Sequence, residues 1–321
     1  MHNLERAIAL LILALSCTAA FAEYPDKPVK IIVPYPPAGT TDILARLIAA
    51  RLSDRMKQQF VIENRPGAGG SIGAVAVAKA PADGYTLLMG TVNTHGINSA
   101  LFKNLAYDAV KDFVPITIVG STPNVLMVNP AVPAKNLAEL LALARAKPGG
   151  LNFGSTSQGG SPHMSGELLK SMANVDIVHI PYKGAGPMLI DLIGGQVQIG
   201  FDNLPSSIGH IRSGKLRAIA VTTAARFPGA PEIPTMAESG VPGYEVSAWF
   251  GLLAPAGTPK AVIDTLYRNI ADSLKQPEVV KQLFELGAEP GGNTPEAYAR
   301  QIAADVEKWK KVVAATGVKA E

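Results

Sequence analysis

Val29-Lys30-Ile31-Ile32-Val33-Pro34-Tyr35-Pro36-Pro37-Ala38-Gly39-Thr40-Thr41-Asp42 joins a β-branched run to an amphipathic stretch that continues to Met56. A short apolar strand followed at once by a helix is the repeating unit of layered α/β folds. Ligands of such sheets sit outside the carboxyl ends of the strands. The first turn of a helix also carries N–H groups without intrahelical acceptors and partial positive charge, which suits an anion. Pro36 and Pro37 stiffen the approach, and Gly39 lets the backbone come close to a bound group. Thr40, Thr41 or Asp42 is placed to cap the helix.

Phe153-Gly154-Ser155-Thr156-Ser157-Gln158-Gly159-Gly160-Ser161-Pro162-His163 has the same design in the second half of the chain. Its three glycines and four hydroxyl side chains form a cradle for a carboxylate, and Pro162 fits the first helical turn. One anion-ready loop in each half points to a shared cleft.

The surrounding pattern alternates short apolar runs with helical stretches, which predicts an α/β fold with parallel strands. Strands are expected at 29–34, 60–63, 85–89, 116–119 and 125–128, the last two separated by Ser121-Thr122-Pro123. The alternation then restarts, with strands at 151–153, 177–180, 199–201, 216–221 and 249–254. Helices are expected at 42–56, 71–78, 137–147, 162–172 and 185–193, with a short one after residue 201. Residues 227–244, rich in Pro and Gly, read as an irregular connection. The end is helical over 260–275, 278–286 and 295–316, with too few strands for a third domain. Two runs of strand–helix units predict two sheets, and the terminal helices are expected to return to the first. The chain then crosses between lobes near Ser121–Asn124 and Tyr244–Ser247. The divisions are 23–122 with 247–321 for one lobe and 123–246 for the other.

At the N-terminus, Arg6, the apolar run Ala7 to Leu15 and Ala20-Phe21-Ala22 have the layout of a secretory signal peptide. Cleavage after Ala22 makes 1–22 the signal peptide and sends the chain to the periplasm. The run is about half of the roughly 20 residues that a spanning helix needs. The one cysteine, Cys17, lies inside this segment, and Ala14 and Leu15 before it are poor residues for a lipidation site. A processed chain therefore has no cysteine and relies on its core for stability. A length of 321 residues with 47% hydrophobic content suffices for two such cores. The net charge of +3, without a basic block, gives no support to nucleic-acid binding.

Enzyme motifs are weak. Gly69-Gly70-Ser71-Ile72-Gly73 fits G-x-S-x-G, and a secreted α/β hydrolase using Ser71 is the alternative reading. Asn64 to Ala68 would hold this serine away from a strand tip, however. Gly209 to Lys215 resembles a phosphate loop, but Leu216 stands where Ser or Thr is required, and a strand follows instead of preceding. His95, His163, His179 and His210 lack metal-ligand spacing. The residues thus predict no catalysis, no metal and no cofactor.

Several stretches carry a family resemblance. They are Tyr24-Pro25 through Lys30; Pro37-Ala38-Gly39 with Asp42 and Ala45-Arg46; and Glu63-Asn64-Arg65-Pro66-Gly67-Ala68-Gly69-Gly70. Ala82-Asp83-Gly84-Tyr85-Thr86-Leu87, Pro181-Tyr182-Lys183-Gly184, Gly194-Gly195-Gln196-Val197 and Trp249-Phe250-Gly251 follow in order. The chain resembles the Bug-type receptors of tripartite tricarboxylate transporters. That resemblance implies a two-lobed periplasmic binding protein (type II, Venus flytrap), a monomer whose lobes close on a small carboxylate. The implied partner is a two-component membrane transporter or a sensor. The contacts it implies are Ala38, Gly39, Thr40 and Thr41 on one loop and Ser155, Thr156, Ser157 and Gly159 on the other, with Tyr35 as an apolar wall. Thr40 stands where the family often has a second glycine, and Ser71 where Asn is common. Asp202 resembles a position facing the far end of the ligand, where it would disfavour a second carboxylate; its alternative role is a helix cap. His163 either touches the ligand or ties down its own helix start.

Overall fold

The computed structural model describes residues 24–318. The expected cleavage site after Ala22, and Cys17, lie outside them. The elements run β1 (Val29–Val33), α1 (Thr40–Met56), β2 (Phe60–Asn64), α2 (Ser71–Ala78), β3 (Thr86–Thr91), α3 (Asn98–Leu101) and β4 (Phe113–Val128). Next come α4 (Leu137–Ala146), β5 (Asn152–Ser155), α5 (Ser161–Ala173), β6 (Val178–Pro181), α6 (Ala185–Ile193), β7 (Ile199–Asn203), α7 (Leu204–Arg212) and β8 (Arg217–Val221). The chain ends with β9 (Ser247–Pro255), α8 (Lys260–Leu274), α9 (Pro277–Leu286), β10 (Glu289–Pro290) and α10 (Pro295–Thr316).

The strands join in one mixed sheet, β2-β1-β3-β9-β4-β7-β5-β6, with β8 and β10 paired to β4. Two expectations change here. Ser121-Thr122-Pro123 does not separate two strands, because β4 is a single 16-residue strand running through it. For the same reason the two expected sheets are joined through β4, and the strands are not all parallel. Prolines are tolerated in β4 where the ladder is irregular: Pro115 borders a register shift, and Pro123 stands where the strand changes partner.

That change of partner locates the cleft. β4 pairs with β9 as far as Pro123↔Ser247 and with β7 from Asn124↔Asn203 onward. β3 and β4 are both antiparallel to β9, so β1, β2 and β3 run in the sense of β4. β7 is antiparallel to β4, so β5, β6 and β7 run the opposite way. The two parallel groups therefore aim their carboxyl ends at each other near residues 123 and 124, in a two-lobed α/β fold.

Buried Thr222 joins the chain segments that cross there. Its Oγ1 accepts from Asn124 N at 2.9 Å and donates to Val246 O at 2.6 Å. Val246 N donates to Thr222 O at 2.9 Å. Apolar residues fill the sheet faces on both sides, with β1 buried at Val29, Ile31, Ile32 and Val33. α8 packs on α1 and β4, α10 packs on β4 and α3, and Trp249 Nε1 of β9 donates to Asp305 Oδ2 of α10 at 2.7 Å. α9 also touches α7, so the terminal helices reach both halves. Among the described residues no helix is long and apolar enough to cross a membrane.

Candidate ligand-binding site

A cleft of about 470 Å³ lies between the facing strand ends. Four helices begin on it: α1 at Gly39–Thr41, α5 at Ser161–Pro162, α6 at Gly184–Ala185 and α7 at Asn203. None of the four has a side-chain cap, and at α1 and α6 the first-turn N–H groups are left for another acceptor. Each helix start contributes roughly half a positive charge. The lining has one acidic residue, Asp202, and its oxygens are engaged by its own surroundings. Oδ2 accepts from Ser206 Oγ and Ser207 Oγ, both at 2.7 Å, and Oδ1 from Asn203 N at 2.8 Å. Burial pushes this carboxyl up to about 6, and those three hydrogen bonds pull it back only in part. The net field at the cleft favours an anion.

Of the residues expected at the site, Tyr35, Gly39, Thr40, Thr41, Thr156, Ser157 and Asp202 line this cleft. Tyr35 is fixed by its hydroxyl, 3.3 Å from both Gly69 O and Thr91 Oγ1. The rest are not in the lining: Ala38 is exposed, and Ser155, Gly159 and His163 are buried. Ala38 N donates inward to Asp42 Oδ2 at 3.0 Å, and that carboxylate is held by Arg46 Nε and Asn64 Nδ2. Gly159 N donates to His163 Nδ1 at 2.9 Å, the arrangement in which His163 ties down its own helix start. Ser155 is fully buried, its Oγ 2.7 Å from His179 Nε2, and the His179 ring stacks on His163 at 3.8 Å. Thr40 does not cap α1: the N-cap is Gly39, with extended backbone angles and no side-chain cap.

Instead, Thr40 Oγ1 lies 3.1 Å from Ser206 Oγ on the opposite side of the cleft. Ser206 has one hydroxyl proton, and ionised Asp202 takes it, so the Thr40 hydroxyl is the donor of this cross-cleft bond. A second one runs from Ser161 N to Asn93 Oδ1 at 2.9 Å.

Sequence reasoning missed Asn93, Ser161, Gly184, Asn203 and Phe250 in the lining. Gly184 lies in the short loop between β6 and α6, so the strand-end rule used for the other two loops would have found it. Asn203 and Ser161 belong to a buried network around Asn124, the first residue of β4 to pair with β7. Asn93 opens a wide helical turn, Asn93–Ile97, that no local periodicity announces.

The geometry of Ser71 does not resemble a nucleophile elbow. Ser71 follows a turn of 3-10 helix, and its Oγ accepts from Asn98 Nδ2 at 3.3 Å, with no histidine among its partners. Among the described residues no group of three His, Cys, Asp or Glu is placed to hold a metal ion.

Residues 44–318 match the model of the tripartite tricarboxylate transporter family receptor. The chain belongs to that receptor family. Protein BugT of Bordetella pertussis is 40% identical to the receptor over 297 residues, covering 92% of this chain and 91% of the relative. An R. palustris protein solved with adipate superposes with a TM-score of 0.91 at 43% identity, covering 92% of the receptor and 99% of that chain. MatC from Rhodopseudomonas palustris, with bound malate, gives 0.84 at 34% identity, covering 90% and 100%. Family and neighbours are solute-binding receptors rather than enzymes.

Proposed function

We propose that this chain is a periplasmic receptor that captures a small carboxylate by closing two lobes around it and hands it to a two-component membrane transporter. The lobes are 23–122 with 247–321, and 123–246, hinged where β4 and the segment before β9 cross. One observation carries the reading: four helix starts from both sides of the cleft, none with a side-chain cap, meet in one chamber whose only carboxylate is already satisfied. The α1 and α6 first turns and the hydroxyls of Thr41, Thr156 and Ser157 would hold the anion, while the Thr40 hydroxyl ties the two sides together. The adipate and malate held by relatives suit this chemistry.

A cognate carboxylate at a hundredfold excess over its dissociation constant should add about 2.7 kcal/mol of stability. It should also reduce the radius of gyration in solution scattering. A screen of carboxylates by thermal shift, followed by scattering on the best, decides both. A ligand that stabilises without compaction would sink the closure step.

Thr40→Val keeps the volume and removes the cross-cleft donor. A hydrogen bond of this kind contributes about 0.5–1.5 kcal/mol, so affinity should fall roughly two- to tenfold. Calorimetry on both proteins tests this, and equal affinity would show that the Thr40–Ser206 bond is not part of the closed state.

A further inference from the structure

We propose that the receptor takes its ligand in two connected chambers, the carboxylate in the cleft and an extended apolar body in a second space outside it. This rests on the carboxylate-receptor reading and narrows it to carboxylates longer and more apolar than succinate.

The second space, half open to solvent, adjoins the first. Five residues line both: Tyr35 and Pro36 from one side, Thr156, Ser157 and Gly184 from the other. They form a neck. Gly184 has φ +111°, and a Cβ there would come within 3.1 Å of Pro36, so this glycine sets how near the two sides approach. A ligand anchored by the helix starts and longer than the inner chamber must leave through this neck into the outer space.

That space is built to receive carbon. Its walls are Pro66, Phe102, Pro181 and the Tyr182 ring, floored by the turn Gly67–Gly70. The turn needs glycine: Gly69 and Gly70 have φ of +61° and +90°. A Cβ on Gly69 would lie 3.5 Å from the Phe102 ring, and one on Gly70 3.0 Å from Tyr35 Oη. The bare backbone of the turn therefore leaves room for the Phe102 ring beside Gly69 and for Tyr35 beside Gly70. Tyr182 gives its hydroxyl to Asp191 Oδ2 at 2.7 Å, which leaves its ring as the surface it offers. Lys183 is the one charged residue of this lining, and no acidic side chain accompanies it. The far end of the ligand is therefore uncharged or anionic, and a cationic end is disfavoured.

Calorimetry with succinate, adipate, octanedioate and 6-aminohexanoate tests this on the wild-type protein and on Phe102→Ala. Along the diacid series affinity should rise by up to about fourfold per added methylene. The amino acid should bind at least tenfold more weakly than adipate. Phe102→Ala should lose at least tenfold for octanedioate while succinate stays within twofold, a pattern that misfolding cannot produce. Succinate binding as tightly as octanedioate, or a variant weakened equally for both, would overturn the two-chamber assignment and leave the receptor reading intact. Failure of all four probes to bind the wild-type protein would overturn both.

Discussion

Between pH 6 and pH 4 the receptor should lose stability steeply, by roughly 1.4–2.7 kcal/mol for each unit of pH, and unfold near the acid end. Burial holds the imidazoles of His95 and His179 down to about 3 and that of His163 to about 4; neighbouring charges, Lys170 for both His163 and His179, add to this. In the unfolded chain all three titrate near 6.5. A depressed folded value means that stability is complete above about 6.5 and is lost as pH falls, because only the unfolded chain takes up the protons. By pH 4 each histidine forfeits roughly 3 kcal/mol on this basis. Asp202, pushed up to about 6, works the other way, and so does Asp305, raised by burial. The fold binds their protons first, so they offset one or two of the three. The net uptake on unfolding is one to two protons, which gives the slope above. His95 is the cleanest probe, being fully buried against Phe113 with Nε2 unpartnered. Denaturant melts across this range should show the slope, and His95→Phe should lower it by about one proton. A slope unchanged in the variant would mean that His95 already binds its proton in the fold.

How far the sequence discloses this architecture depends on the kind of contact involved. α2, α6 and α10 begin and end where the sequence predicts, because glycine, proline and the periodicity of their apolar residues are local signals. β4 is the counterexample. Ser121-Thr122-Pro123 has the composition of a turn, and only pairing with β9 on one side and β7 on the other keeps it extended. The site divides in the same way. Loops at strand ends are legible, so Gly39–Thr41 and Thr156–Ser157 are found from sequence and line the cleft. Which donors face it is not legible: the N–H groups of Ala38 and Gly159 turn inward to Asp42 and His163. Likewise, nothing local to Thr40 or Asn93 announces a partner more than sixty residues away. Asp202 shows both readings at once, since it lines the cleft while its oxygens serve its own helix start.

Gly160→Val should reduce ligand affinity at least a hundredfold with little loss of stability. Three glycines on the 123–246 side stand where the other side comes closest. A Cβ would meet Leu101 Cδ1 at 2.4 Å from Gly159, Asn93 Nδ2 at 2.9 Å from Gly160, and Pro36 at 3.1 Å from Gly184. Gly159 and Gly184 also have positive φ, so substitution there mixes backbone strain with bulk. Gly160 does not: its φ of −73° suits any residue, which makes it the informative position. A valine would displace the Ser157 hydroxyl, a cheap rotation, and then wedge against Asn93, whose Oδ1 accepts the cross-cleft bond from Ser161 N. Within its own lobe the displaced Ser157 hydroxyl is one of the anion's donors, so scattering rather than affinity alone separates a lost donor from a blocked approach. Blocking the final approach of the lobes removes the interactions that only the closed form makes, and a hundredfold loss corresponds to about 2.7 kcal/mol. Gly209→Ala is the control, because a Cβ there meets nothing within 4 Å and the helix gains slightly. Calorimetry, melting curves and scattering with a saturating carboxylate decide the matter. The wedge should keep the scattering profile of the ligand-free protein. Tight binding by Gly160→Val would show that capture does not require the two sides to meet at Asn93.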